Sequence, residues 1–305
     1  MTEKLSAQRN RYPLEHLPAG VHICWQVDGD EDFHASLAGI AQAVASAGAA
    51  FLYIVDRRPL TALRRQLHAI APEVTAQGKA FLLEPPQILL DNARFDEQTA
   101  LAQLRRFTLS HRAGGLPAPW IVVEMSWATW GLPGSDRWQA FESLLDSAGQ
   151  ELYGMFLCQY DRRHCPPDML AEALRFHPYI LFNGWVVPNQ VYPGPIPSPI
   201  LEREAVMVQM GLDGDSYQEY LRVFLEEAES HAARLSEAVQ AGSAKQVDYH
   251  AHSLKGAAAT IGAVRVRDAA WELEQMGKRG SLAGAPQALE KLLQEIESVR
   301  RITAR

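Results

Sequence analysis

An α/β domain followed by an all-α, antiparallel four-helix bundle is the fold that three features of this 305-residue sequence predict. First, short continuous apolar runs alternate with amphipathic stretches up to about residue 185, the pattern of buried strands separated by helices in a mostly parallel sheet. Second, "VVPNQVYPGPIPSPILERE" carries Pro188, Pro193, Pro195, Pro197 and Pro199, and closely spaced prolines favour an extended connector. Third, no strand-like run follows; apolar residues recur there only at three- and four-residue spacing. The predicted boundaries are residues 1–185, a linker over 186–202, and the bundle over 203–305.

In the first part, "GVHICWQV", "AAFLYIVD", "PWIVVEMSW", "LYGMFLCQYD" and "PYILFNG" are the expected strands. Helices are expected over "FHASLAGIAQAVASAG" and around 59–71, 136–149 and 167–175. In the second part, four stripes define four helices. They run from Leu221 through Phe224, Leu225, Ala228, Ala232 and Leu235 to Val239, then through Val247, Ala251, Leu254, Ala258 and Ile261. The third holds Val266, Ala269, Ala270, Leu273 and Met276; the fourth holds Leu289, Leu292, Leu293, Ile296 and Val299. Gly-containing joints separate them.

Bulk properties narrow the function classes. A hydrophobic share of 47% with 21% charged residues describes an ordinary globular chain. The formal charge of −7 divides about evenly along it, which argues against nucleic acid as a direct partner. The N-terminus lacks the apolar core of a signal peptide, and no run reaches the roughly 18 apolar residues of a membrane span. Three cysteines, Cys24, Cys158 and Cys165, are too few and odd in number for a disulfide framework. A cytoplasmic location is expected.

The chemistry concentrates in "HSLKGAAATIGA". On a helical wheel His252 lies about 140° from the apolar stripe centred on Val247, so it faces solvent. Lys255 and Gly256 are its neighbours one turn on. Neutral imidazole is a nucleophile near pH 7, an ammonium partly neutralises an incoming phosphoryl group, and glycine and alanine let another protein approach closely. Asp248, one turn before His252, is the one acidic neighbour. A solvated surface histidine is the plain alternative; the glycine, at a cost of about 1 kcal/mol relative to alanine in a helix, argues for function.

On His252, Lys255, Gly256 and Gly262, residues 203–305 resemble a histidine phosphotransfer (HPt) domain, whose motif is His-x-x-Lys-Gly with a further glycine. The resemblance implies that His252 takes phosphate from a receiver-domain aspartate and passes it on, with Lys255 assisting. Expected partners are receiver domains of a hybrid histidine kinase or response regulators. Residues 20–184 carry "HICWQVDGDEDF", "FLYIVD", "EMSWA" and "LCQYDRRHCPPDMLAEALRFHPYILFNG", and resemble the methanogen/methylotroph sensory (MEDS) domain. That resemblance implies a RecA/KaiC-like fold without working nucleotide loops, and a role in sensing small organic molecules.

No P-loop is present: its Gly-x-x-x-x-Gly-Lys-Ser/Thr pattern fails at the Lys79 region, where Ala80 follows the lysine and Glu73 replaces the first glycine. A kinase or nucleotide hydrolase is therefore not expected, and no cofactor is implied. Ligands in open α/β sheets bind beyond the carboxyl ends of the strands. That rule gathers Asp28 and Glu31, Asp56, Glu124 with Ser126 and Trp127, and Gln159 with Tyr160 and Asp161 as a candidate small-molecule pocket; helix capping and core packing are the plain readings of the same residues. His22 with Cys24 and His164 with Cys165 lack a second pair at metal-ligand spacing, so no metal site is expected, and Cys158 in an apolar strand is expected to be inert. The resulting reading is a phosphorelay intermediate under ligand control. A non-catalytic adaptor that docks receivers is the alternative, and it leaves the nucleophile unexplained.

Overall fold

The structure, a computed structural model, describes residues 11–303 other than 77 and 150. The chain divides into two compact units, residues 13–197 and residues 198–303 together with 11–12.

The first unit is built on a seven-stranded sheet. In chain order its elements are β1 (His22–Val27), α1 (Asp30–Ala47), β2 (Phe51–Ile54), α2 (Leu60–Ile70), α3 (Pro72–Ala76), β3 (Ala80–Leu83) and α4 (Pro85–Ile88). The two-residue strands β4 (Leu90–Asp91) and β5 (Arg94–Phe95) pair as a hairpin, followed by α5 (Glu97–Ala113), β6 (Trp120–Glu124), α6 (Trp138–Ala148), β7 (Met155–Asp161), α7 (Pro167–Ala173), β8 (Tyr179–Phe182) and β9 (Trp185–Pro188). The sheet order is β3-β2-β6-β7-β1-β8-β9, with only the β8–β9 pair antiparallel. Every residue of β2, β6 and β7 is buried, as parallel strands covered on both faces must be. Register pairs Glu124 with Gln159 and Val27 with Asp161, so the carboxyl ends of β1, β6 and β7 share one edge.

The linker expectation changes here. Residues 186–188, assigned to it with Pro188, belong to β9 and pair with Leu181, Ile180 and Tyr179 of β8 in turn. Pro188 closes an edge strand, where its missing N–H costs no ladder bond. Beyond it, the Asn189 amide donates to the Leu174 and His177 carbonyls at 2.6 and 2.7 Å, and the Tyr192 hydroxyl bonds Asp146 at 2.9 Å. Ile200 and Leu201 already lie in the helical core.

The second unit opens with α8 (Arg203–Met210) and continues with α9 (Gly214–Gln240), α10 (Ala244–Ile261), α11 (Val264–Arg279) and α12 (Ala285–Thr303). Asp213 caps α9 by accepting from the Ser216 amide at 2.8 Å, and Gly262, at φ 76°, ends α10. The core follows the expected stripes except at Leu293, which is exposed while Leu289, Leu292, Ile296 and Val299 form the seam.

Ala251 and Ala258 of α10 and Ala269 and Ala270 of α11 are buried among larger apolar residues, and Gly277 fixes how close the two helices come. A Cβ there would lie 2.5 Å from the Asp248 amide nitrogen and 2.8 Å from the Ala244 carbonyl. Backbone cannot yield as a side-chain tip can, so Gly277→Ala is expected to destabilise the helical unit by about 1–3 kcal/mol through overpacking. Thermal unfolding followed by circular dichroism checks this; an unchanged helical transition would mean that the helices are free to separate.

Candidate phosphotransfer site

Helix α10 carries His252 on its solvent side, with the side chain 67% exposed. Across the seam, α11 supplies Glu274, which is completely buried at a position where the apolar stripe would place a hydrophobic residue. Burying a carboxylate is costly unless it is paired, and this one is paired three times. His252 Nδ1 donates to Glu274 Oε1 at 2.7 Å, Lys255 Nζ to Oε2 at 2.6 Å, and Lys278 Nζ to Oε1 at 2.6 Å. Burial alone would raise the Glu274 carboxyl, but hydrogen bonds from Lys255, Lys278 and His252 outweigh it and hold it down at about 2. The same contact raises the Lys278 ammonium above its usual range.

An ionised carboxylate only accepts hydrogen bonds, so the nitrogen facing it carries the proton. Neutral His252 is therefore the Nδ1–H tautomer, and Nε2 holds the lone pair on the exposed edge. Lys255, one turn along α10, is anchored to the same carboxylate. Gly256 is exposed, and a Cβ added to it would meet nothing within 4 Å. Its lack of a side chain serves no packing purpose in this chain. Gly256→Ala should stabilise the helix by about 0.5–1 kcal/mol while slowing phosphoryl transfer, because the methyl occupies surface that a partner must approach. Melting curves and transfer rates on the same variant test this, and unimpaired transfer would refute the approach argument.

Sequence reasoning missed Glu274 and Lys278. The signal was available: in "AAWELEQMGKR" the spacing from Val266, Ala270 and Leu273 puts residue 274 on the core face, where a charged residue is rarely found without partners.

The candidate pocket of the first unit is only partly assembled. Glu124 Oε2 accepts from the Asp56 and Arg57 amides at 2.7 and 3.2 Å, and the Ser126 hydroxyl donates to Asp56. Burial pushes the Asp56 and Glu124 carboxyls up, against these hydrogen bonds. Gln159 accepts from the Tyr53 hydroxyl. Burial also works against Asp161, but Arg163, donating at 2.9 and 2.7 Å, holds it below the usual range. Asp28 and Glu31 are exposed and stand apart, Asp28 3.4 Å from Arg162.

Trp127 and Tyr160, expected as pocket walls, are core residues. Trp127 is fully buried with its ring 4.4 Å from that of Phe95, and Tyr160 is fully buried with its hydroxyl on Glu142. The sequence pattern also missed Arg58, whose guanidinium sits 3.5 Å over the Phe33 ring and 3.9 Å from Asp161, and the bond of Arg163 to Asp30 at 3.1 Å.

Comparison with known proteins bears on both units. The family model described as "MEthanogen/methylotroph, DcmR Sensory domain" matches residues 21–178, more than half of the chain. The chain belongs to the MEDS family. Behind its MEDS domain, the Hpt domain model matches residues 219–302, so the helical unit is a histidine phosphotransfer module. Among solved structures, histidine-containing phosphotransfer protein B (HptB) from Pseudomonas aeruginosa PAO1 is 30% identical, covering 35% of this chain and 94% of that one, with a TM-score of 0.33. The KaiC-like protein PH0186 from Pyrococcus horikoshii OT3 is 11% identical, covering 54% and 71%, with a TM-score of 0.37. No curated protein matches the chain. Among the described residues, no helix is long and apolar enough to cross a membrane.

Proposed function

We propose that this MEDS–Hpt protein is a cytoplasmic intermediate of a multistep phosphorelay, in which His252 accepts a phosphoryl group from a receiver-domain aspartate and returns it to another. The observation that carries the reading is the bond from His252 Nδ1 to buried Glu274, which leaves Nε2 as the nucleophile. The Nε2 lone pair attacks phosphorus, the bond from phosphorus to the aspartyl oxygen breaks, and the aspartate leaves as carboxylate. The ring, still protonated at Nδ1, becomes cationic, and Glu274 stabilises that charge as a triad carboxylate stabilises an imidazolium. Lys255 lies one turn away to offset the incoming negative charge. The chain carries no Gly-x-x-x-x-Gly-Lys-Ser/Thr phosphate loop, and ATP is the competing donor that the test includes. In the test, full-length protein is mixed with a labelled phospho-receiver or with labelled ATP. Acid-labile, alkali-stable label from the receiver alone supports the reading, and labelling from ATP alone contradicts it.

The same proposal assigns ligand sensing to the MEDS domain, at the carboxyl edge where β6 and β7 meet. Two features support it. Glu124 Oε1 and Gln159 Nε2 are buried without hydrogen-bond partners, an acceptor and a donor from register-paired residues. A cleft of about 490 Å³ is lined by Ala128, Thr129, Trp138, Gln139, Asp168 and Glu172 among others, residues that follow β6 and β7 in the chain, although none of the residues named from the sequence lines it. A small polar molecule is the chemistry this suits.

A further inference from the structure

Away from both sites, four side chains able to bind metal converge in the dry core of the MEDS domain. His22 is the first residue of β1, Cys158 lies in the middle of β7, Glu142 projects from α6, and His177 sits just before β8. Their donor atoms all lie within 4.8 Å of one another, and the residues are at most 2% exposed. His22 Nε2 is 3.1 Å from Cys158 Sγ and 3.0 Å from Glu142 Oε2, and His177 Nε2 is 3.4 Å from the same oxygen.

As a purely proteinaceous cluster, this arrangement is poorly satisfied. His177 Nδ1 donates to the Ala173 carbonyl at 2.7 Å, so in the neutral ring Nε2 is an acceptor facing the carboxylate Oε2, another acceptor. Both atoms are buried without hydrogen bonds. Nearly all buried polar groups find partners, so two acceptors that face each other with no donor between them call for a cation there. The surroundings fit: the backbone bond orients His177 with its lone pair inward, and the Tyr160 hydroxyl holds the other oxygen of Glu142.

The geometry points to a tetrahedral divalent metal site of the zinc class, formed by His22, Glu142, Cys158 and His177. Bonds of roughly 2.0–2.3 Å to nitrogen, oxygen and sulfur give ligand-to-ligand separations of about 3.3–3.8 Å, so the 3.0–3.4 Å contacts need slight expansion and the wider separations, up to 4.8 Å, contraction. Charge balances as well. Two neutral imidazoles, one thiolate and one carboxylate around a dication make a neutral unit, the form a water-free core tolerates. On binding, the Cys158 thiol loses its proton to solvent and the metal–sulfur bond takes its place. Such a site ties α6 to β1, to β7 and to the segment before β8. His22 thus belongs with Cys158 on the neighbouring strand, and not only with Cys24 on its own, a pairing that sequence spacing does not reveal.

To test this, the full chain is purified in reducing buffer from cells grown with added zinc, and in parallel with added cobalt. The wild type should carry about one metal per chain, and the cobalt form should show the intense visible bands of tetrahedral coordination with a thiolate-to-cobalt charge-transfer band. Cys158→Ser should remove the charge-transfer band, and Glu142→Gln should lower metal content, whereas Cys165→Ser should leave both unchanged. His231→Gln tests the other close histidine pair, His231 and His250, 3.2 Å apart in the helical unit. Should a ligand variant not fold, the wild-type cobalt spectrum decides by itself. A wild type with no stoichiometric metal, a cobalt spectrum without the charge-transfer band, or metal lost only with His231→Gln would overturn the proposal.

Discussion

Replacing His252 with Gln is expected to abolish phosphoryl acceptance while leaving the helical unit as stable as the wild type. The imidazole is two-thirds exposed, and among the described residues its hydrogen bond runs to Glu274, which keeps both lysines when the ring is gone. Exposed substitutions of this kind usually shift stability by no more than about 0.5 kcal/mol. Glutamine is polar and similar in reach but is no nucleophile toward phosphorus. Transfer from a phospho-receiver should therefore fall to background while melting curves overlay. Residual transfer at a measurable fraction of the wild-type rate would place the acceptor elsewhere.

Changing Glu274 should have the next largest effect, and on two observables at once. Glu274→Gln keeps the volume but brings an amide donor against Nδ1–H and two ammonium groups, so at least one contact turns repulsive. The imidazole loses the group that fixes its tautomer and stabilises its cation, and misorientation of a reacting group costs up to about 10²-fold in rate. Stability should fall by only about 1–2 kcal/mol, because Lys255 and Lys278, both partly exposed, can turn to water. A transfer rate within twofold of wild type would remove Glu274 from the chemistry.

The same carboxyl sets an acid dependence. It is depressed from about 4.5 to about 2, so the stability it contributes is complete above about pH 4.5 and is lost as pH falls toward 2. In Glu274→Gln the helical unit should lose less stability over that window than the wild type does. Equal losses would mean that the triple pairing contributes little.

The helical unit was nearly all legible in the sequence because its stripes have a single period and a single core. His252 turned outward, Gly256 lay in the open and Gly262 ended the helix, each readable from local spacing. Glu274 was missed because attention to the apolar stripe passes over a charged residue inside it, and its partners come from another helix.

In the MEDS domain the continuous apolar strands β1, β2, β6, β7 and β8 could be read, while β3, with Phe81 exposed, and β9, hidden among prolines, could not. Sheet order was equally out of reach: β1 lies between β7 and β8, so His22 meets Cys158 only through the topology. Trp127 and Tyr160 failed as pocket walls because the strand-end rule says which residues lie near one edge of the sheet, but not whether a side chain there turns into a cleft or into the core.

The most direct measurement of the central claim is the position of the phosphoryl group on the histidine ring. Full-length chain labelled with ¹⁵N, phosphorylated by a phospho-receiver and examined through long-range proton–nitrogen correlations of its histidines, should show one changed ring, that of His252. It should carry phosphorus on Nε2 and retain the proton on Nδ1. Phosphorylation of Nδ1, or of any other residue, would contradict the role assigned to Glu274 and with it the reading of the site.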